Sequence, residues 1–383
     1  MRTIPFAKAD CSGNELSYVA EVLRSGWLTT GKKCAEFEER FAACVGARFA
    51  CAVNSATAAL HLAAEAIGIA AGDRVFVPTM TFTATAEIVR YLGADPILLD
   101  VEYGTCLVTP DLLKDAVARH PEATALVVVH FGGQAAMMDE LMSICQEHGL
   151  RLIEDAAHAF PARYAGRMIG GFGDATCFSF YANKTITTGE GGMLVTNDEN
   201  IAKRARIMRL HGIDRDMWDR FIDMKAKWEY DVVAPGFKYN MSDIAAAIGL
   251  AQLERAEEFR RGRQRVVERY VEGLHGIRAI DLPRLPSKME DHAWHLFWIV
   301  LNEQARVDRN RFIEQLNAAG IGTSVHYKPL HRMSYYRERY KLAPELFPNA
   351  ERHWRGAVSL PLYSGMRDED VAYVCDTVRG LLA

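Results

Sequence analysis

Several short segments place reactive side chains directly after apolar runs, where plain packing does not call for them. Lys184 stands alone in "FSFYANKTITTGEGGML" (residues 178–194), between a strand-like stretch that goes inside and glycines that read as a tight turn. A lysine usually leaves through the surface on its long stem. Held in a desolvated place, its amine gives up its proton more readily and becomes a nucleophile toward a carbonyl. "RLIEDAAHAF" closes an apolar run with Glu154 and Asp155 and reaches His158 three residues later. The acids could anchor a helix start or pair with a base, and His158 could be a satisfied histidine near a turn; alternatively, Asp155 holds a cationic ring nitrogen and His158 borders the same ring. After "FACAV" come Asn54, Ser55, Ala56 and Thr57 and then a helical pattern. That start is either an ordinary cap or a place where backbone N–H groups and the Thr57 hydroxyl face an anion. Phe82, in "TMTFTAT", is a core aromatic unless a flat ring must stack on it.

One cofactor needs all of these groups together. Pyridoxal 5'-phosphate takes a lysine for its Schiff base, a carboxylate that keeps the pyridine nitrogen protonated, a stacking surface and a phosphate cup. The chain offers Lys184, Asp155, Phe82, and Ser55 to Thr57 with Ser179. Amino transfer would pass through the pyridoxamine 5'-phosphate form, with Lys184 as the base and acid that moves the proton.

The elements that must position these residues have the rhythm of βαβ units. "RVFVP", "PILLDV", "TALVVVHF" and "RLIED" alternate with amphipathic stretches, "CFSFY" and "GGMLVTN" add strands, and "NIAKRARIMRLHG" reads as a helix closed by Gly212. This predicts an α/β fold with a mainly parallel sheet, whose ligands collect at the carboxyl ends of the strands. Residues 213–235 lack a clear period and read as a long, partly helical excursion. The run "ERAEEFRRGRQRVVERYVEGL" reads as a solvated connector helix. Beyond it, "HLFWIVL" and "GTSVHY" read as strands, "DRNRFIEQLNAAG" and "RDEDVAYVCDTVRGLL" as helices. The expected division is a large domain over 1–256 and a smaller α+β domain over 257–383.

Composition narrows the function classes. Lys plus Arg number 45 against 49 Asp plus Glu, a net charge of −4, which leaves no basic footprint for nucleic acid or an anionic membrane surface. The eight cysteines are scattered without a CxxC pair, and most read as small buried hydrophobes. His292, His295, His326 and His331 lack a cysteine or carboxylate at ligand spacing, so no metal is expected. The first residues, "MRTIPFAKADCSGNE", contain no apolar targeting core, and no apolar stretch is long enough to span a bilayer; the cytoplasm is the expected compartment.

The motifs "SGWLTTG", "NSATAALHLA", "VFVPTMTFTATA", "VHFGGQAAMMD", "IEDAAHAF", "FSFYANKTITTGEGG", "KYNMSDIAAAIGLAQL" and "GIGTSVHYKPLH" resemble, almost from end to end, the pyridoxal-phosphate sugar aminotransferases of the DegT/StrS family. The resemblance extends to the branch that aminates C4 of nucleotide-linked 4-keto sugars, including the type that makes 4-amino-4-deoxy-arabinose, with which the chain shares "HAWHLF". It implies a type I aminotransferase fold with a seven-stranded sheet, a homodimer with shared active sites, a nucleotide-linked keto sugar as acceptor and glutamate as donor. It puts Lys184 on the Schiff-base position, Asp155 on the ring-nitrogen partner, His158 near the phenolic oxygen and Phe82 on the stacking aromatic. Ala56, Thr57 and Ser179 fall on the phosphate cup, and Asn240 on a residue reaching the phosphate from the neighbouring subunit. Thr29, Tyr181, Lys238 and His326 match positions near the sugar nucleotide. A dehydratase branch carries histidine where this chain has Lys184, which disfavours that chemistry. "FKYNM" stands where many relatives read "YNYRM". Alternatives are amination of a 3-keto sugar or an inosose, or a non-catalytic cofactor-binding regulator.

Overall fold

Runs that are apolar at every position, and not at every second one, call for strands covered on both faces. The computed structural model, which describes residues 2–214 and 230–383, gathers them into one sheet. Most of the 213–235 excursion lies outside the described residues. The strands are β1 (Phe49–Val53), β2 (Arg74–Pro78), β3 (Asp95–Leu99), β4 (Ala125–Val129), β5 (Arg151–Asp155), the short hairpin β6 (Arg163–Tyr164) and β7 (Arg167–Met168), β8 (Ala175–Ser179) and β9 (Gly192–Thr196). Seven of them form the sheet in the order β1-β9-β8-β5-β4-β2-β3. Neighbours from β3 across to β8 are parallel, and β9 runs antiparallel to β8 and β1. This is the expected α/β architecture, with the seven-stranded, mainly parallel sheet.

Alternation along each strand serves both faces. Phe76, Leu126, Val128, Leu152 and Phe178 pack on one side, while Val75, Val77, Val127, Ile153 and Cys177 pack on the other. The helix Ala56–Ala66 covers the second side, and residues 58–64 are all buried. Its alanines favour helix and let it lie close to the strands.

The same pleat separates two adjacent acids. Glu154 turns to the first face, fully buried, where its carboxylate accepts from Gly173 N–H (2.8 Å), Phe172 N–H (3.2 Å) and the Thr176 hydroxyl (2.7 Å) and meets His130 Nε2 at 3.0 Å. Burial alone would raise its pKa, but His130 and these donors outweigh it and hold the acid below its ordinary value. Glu154 is therefore a structural clamp. Asp155, one residue on, faces the opposite side.

A second sheet contains β10 (Ile280–Asp281), β11 (Trp298–Leu301) and β12 (Ala357–Ser359). Around it lie the helices Ala256–Leu274, Arg309–Ala318 and Asp368–Leu382, with a core of their own. Two sequence expectations are corrected here. The charge-rich helix is no solvated connector: Phe259, Arg263, Val266, Val267, Tyr270 and Leu274 are buried, at spacings of three and four that the charges between them conceal. "GTSVHY" is not a strand, because Ser324 makes only an isolated bridge to Ser359 before the chain turns toward His326 and Tyr327. Residue 257, the expected start of the smaller domain, is the second residue of the helix Ala256–Leu274. Among the described residues no helix is long and apolar enough to cross a membrane.

Replacing Glu154 with Leu keeps the volume and strands the surrounding donors. The variant is expected to lose roughly 3–5 kcal/mol of stability. Urea unfolding of the two proteins checks this; an unchanged midpoint would refute the clamp.

Candidate active site

The loops after β2, β4, β5 and β8 surround a cavity of about 470 Å³, lined among others by Thr81, Val129, Asp155 and Ser179. Lys184 enters it from a tight loop. The loop is closed by Lys184 N–H to Tyr181 C=O (3.0 Å), by the N–H of Thr188 and the hydroxyl of Thr187 on Phe180 C=O (2.9 and 3.0 Å), and by Gly189 at φ +79°. That is the structural role of "TTGEGG". The Lys184 side chain is half-buried by area because the cavity is open, yet protein surrounds its amine. Burial pulls its pKa down to about 8; Asp155 pulls the other way and Arg263 pushes further down.

Asp155 occupies the floor. Its Oδ2 accepts the Thr85 hydroxyl at 2.8 Å and its Oδ1 accepts Ala157 N–H at 3.1 Å. Burial raises its pKa, opposed by Thr85, Ala157 and Lys184. Next to it, His158 Nδ1 accepts Gly132 N–H (3.3 Å), so in the neutral ring the proton sits on Nε2 and is donated to Tyr327 Oη at 2.9 Å. Burial keeps this ring neutral, with a pKa well below the usual histidine range.

The far end of the cavity is built for an anion. Ser55 Oγ accepts Ala58 N–H (3.1 Å), while the first-turn N–H groups of Ala56 and Thr57, both lining the cavity, have no acceptor among the described residues. A Cβ at Gly192 would lie 2.5 Å from Ser55 C and O, so glycine there lets β9 touch this helix start. Phe82 is 58% exposed beside the cavity, with Tyr327 at 6.0 Å, and so leaves a ring face free for stacking. Tyr181 stands half-exposed at the mouth. His326 is held by Ser359 Oγ at 2.8 Å and stacked on Phe6, with burial drawing its pKa to about 3.

Thus the lysine, the carboxylate, His158, Phe82, the Ala56–Thr57 start, Ser179, Tyr181 and His326 converge. Thr29, Lys238 and Asn240 do not line the cavity. They gather beside the end of β1, where Lys238 Nζ donates to Asn240 Oδ1 (2.6 Å), Asn240 Nδ2 to Thr30 Oγ1 (2.7 Å) and Asp243 N–H to Thr29 C=O (3.2 Å). Three side chains at or behind the cavity were not singled out from the sequence: Thr85, Tyr327 and Asn183, whose buried Oδ1 lacks a hydrogen-bond partner among the described residues. All three were within sight, Thr85 three residues past Phe82, Asn183 directly before Lys184 and Tyr327 directly after His326, but residue type alone gave none of them a role. Among the described residues no group of His, Cys, Asp and Glu is arranged to hold a metal.

These residues fit pyridoxal 5'-phosphate. An anion seat, a carboxylate for a ring nitrogen, an aromatic face, an amine of lowered basicity and the orphan Asn183 Oδ1 occur in one cavity.

Comparison with known proteins agrees. The DegT/DnrJ/EryC1/StrS aminotransferase family description matches residues 10–379. The chain is 42% identical over 381 residues to the spore coat polysaccharide biosynthesis protein SpsC of Bacillus subtilis, covering 99% of this chain and 97% of that protein. Its fold is similar to that of Helicobacter pylori PseC, an aminotransferase involved in the biosynthesis of pseudoaminic acid, with a TM-score of 0.92, 25% identity and coverage of 100% and 99%. Spr1654 of Streptococcus pneumoniae, solved in its PLP-form and PMP-form, is similar with a TM-score of 0.90, 31% identity and coverage of 99% and 98%.

A pKa near 8 leaves about 10% of Lys184 as free amine at pH 7, against about 0.03% for an ordinary lysine at 10.5. Trace acetylation of the cofactor-free protein across pH, read by mass spectrometry, should give Lys184 a midpoint near 8. A midpoint near 10.5 would remove the burial effect. Because the lowered pKa means that the folded chain binds fewer protons than the unfolded one between these values, stability of the cofactor-free protein should rise with pH over that window.

Proposed function

The chain belongs to the DegT/DnrJ/EryC1/StrS aminotransferase family, and from that premise we propose that it moves an amino group from glutamate to C4 of a nucleotide-linked 4-keto sugar, working in the cytoplasm as a homodimer. It is a sugar aminotransferase, and its cofactor is pyridoxal 5'-phosphate. The observation that carries the reading is the meeting of Lys184 and Asp155 in one cavity beside a helix start whose N–H groups are free for an anion.

Bound cofactor supplies an aldehyde carbon that takes up an amine and a protonated ring that withdraws electrons from it. The chain does the rest. The helix start at Ala56 and Thr57, with Ser179, seats the phosphate without an arginine. Asp155 receives the ring N–H on lone pairs that Thr85 and Ala157 leave free. Phe82 covers the ring face. Lys184 Nζ, of lowered basicity, would take the proton from the donor's α-carbon and pass it to the bound cofactor, and in the second half would carry a proton from the cofactor to the sugar carbon. Neutral His158, both of its ring nitrogens engaged by Gly132 and Tyr327, orients the tyrosine, and neutral His326 is held by Ser359; neither adds positive charge that would repel a protonated Lys184.

The nucleotide-sugar part rests on the wide mouth. Exposed Tyr181 can cover a sugar or base, and the orphan Asn183 Oδ1 suits a hydroxyl donor. The cluster of Thr29, Lys238 and Asn240, outside its own cavity, is placed in our reading to serve the partner's, with the Lys238 ammonium toward the diphosphate.

The holoenzyme should lose its yellow colour on glutamate and recover it only with 4-keto sugar nucleotides from a panel that includes 3-keto compounds. Recovery with 3-keto compounds alone would overturn the C4 assignment, and a protein that stays yellow with every amino donor would be a binding protein. Asp155→Ala should slow both halves roughly 100-fold in rapid-mixing experiments, with the fold retained; wild-type rates would refute the role of this carboxylate.

A further inference from the structure

Thr85 lies in the first turn of the helix Ala84–Tyr91, fully buried, and does not line the cavity. Its Oγ1 is 2.8 Å from Asp155 Oδ2, 3.1 Å from Phe82 C=O and 2.7 Å from Thr81 Oγ1, itself buried. A hydroxyl has one proton to donate. It cannot serve the carboxylate and the carbonyl at once, so the protonation of Asp155 decides which is served. With Asp155 ionised, the Thr85 proton goes to Oδ2, because a charged acceptor makes the stronger bond, and Thr81 O–H donates to Thr85 Oγ1. With Asp155 protonated, its own O–H can point at Thr85 Oγ1, and the Thr85 proton turns to Phe82 C=O.

We infer that Thr85 is a positioning residue for Asp155: its hydroxyl favours the carboxylate over the acid and, together with Ala157 N–H on the other oxygen, fixes the plane in which the remaining lone pairs meet the ring nitrogen. The Phe82 carbonyl, 3.1 Å from the same hydroxyl, is the acceptor to which that proton turns only when Asp155 is protonated. This inference rests on the cofactor reading above and deepens it.

The other titratable groups facing Asp155 are Lys184 beyond β8, Cys177 on β8, His130 beyond β4 and Tyr327 from the segment after Ser324. None of them donates a hydrogen bond to the carboxylate. Thr85 is thus the one side-chain donor to Asp155 among the described residues. Removing it leaves burial less opposed and raises the carboxyl pKa further, which moves any activity requiring the anion to higher pH.

The test compares wild type, Thr85→Val and Thr85→Ser as holoenzymes. Borohydride should still fix the cofactor at Lys184 in Thr85→Val, since the amine is untouched. Its bleaching by glutamate at pH 7 should fall by about 10-fold or more, with the acid limb of the pH–rate profile displaced upward, and Thr85→Ser should return both close to wild type. Equilibrium dialysis across about pH 5 to 8 supplies a readout without turnover: Thr85→Val should release cofactor at higher pH than wild type. Thr85→Val with the wild-type limb and wild-type cofactor retention would overturn the inference, as would a Thr85→Ser that behaves like Thr85→Val. Failure of wild type itself to bleach would instead sink the proposed function, and the dialysis comparison would still decide the role of Thr85.

Discussion

An amine and a carboxylate share a cavity whose protein walls desolvate both groups, and the electrostatics of that pair constrain the rest of the site. Burial penalises both charges, and their attraction offsets only part of the penalty. The outcome is unequal: the amine of Lys184 falls to about 8, and Asp155 is pushed up while Thr85 and Ala157 resist. A lysine that stayed a full cation would be a poor nucleophile, and an aspartate that became a neutral acid could not hold a cationic ring. Burial pushes both groups toward their neutral forms, and the Thr85 and Ala157 hydrogen bonds, together with the Lys184 charge, oppose it at the carboxylate.

That difference is set by the pleat of β5. Glu154 and Asp155 are neighbours of like chemistry, yet successive residues point to opposite faces. One enters a closed network with His130 and three donors; the other is left with lone pairs toward the cavity. A register slip of one residue would exchange them. The sheet guards against it by burying strong apolar residues on both sides of β5, with Leu152 toward one core and Ile153 toward the other. The packing that specifies the strand therefore also specifies which acid reaches the site.

What could be read beforehand divides along the same lines. Strands and helices that depend on local pattern were legible, and so were Lys184 and Asp155, each anomalous within its own segment. Elements defined by distant partners were not. "GTSVHY" has β-branched residues but too few pairing neighbours to become a strand, and the charge-rich helix hides a buried stripe that only the second core reveals. Thr85 looked like one of several threonines until the fold brought it to a carboxylate 70 positions away in sequence. Tyr327 gained meaning through His158, across a separation of 169. Thr29 and Lys238, placed near the substrate by resemblance, and Asn240, placed on a neighbouring subunit's phosphate contact, cluster beside β1 and outside the cavity, where sequence spacing gave no sign that the three would meet.

The histidines complete the electrostatic picture. His158, His295 and His326 stand near the amine, and burial holds all three neutral at physiological pH. The nearby Arg263, sunk in the second core, gives its guanidinium to the carbonyls of Trp294, His295 and Leu362, with no carboxylate partner among the described residues. Its pKa, lowered by burial to about 10, still leaves it cationic near neutrality. A permanent charge that cannot move and rings that do not charge leave Lys184 as the group of this cluster that changes protonation near pH 8. In the proposed reaction, proton movement is thereby confined to the Lys184 amine, while the surrounding polar groups orient without competing for the proton.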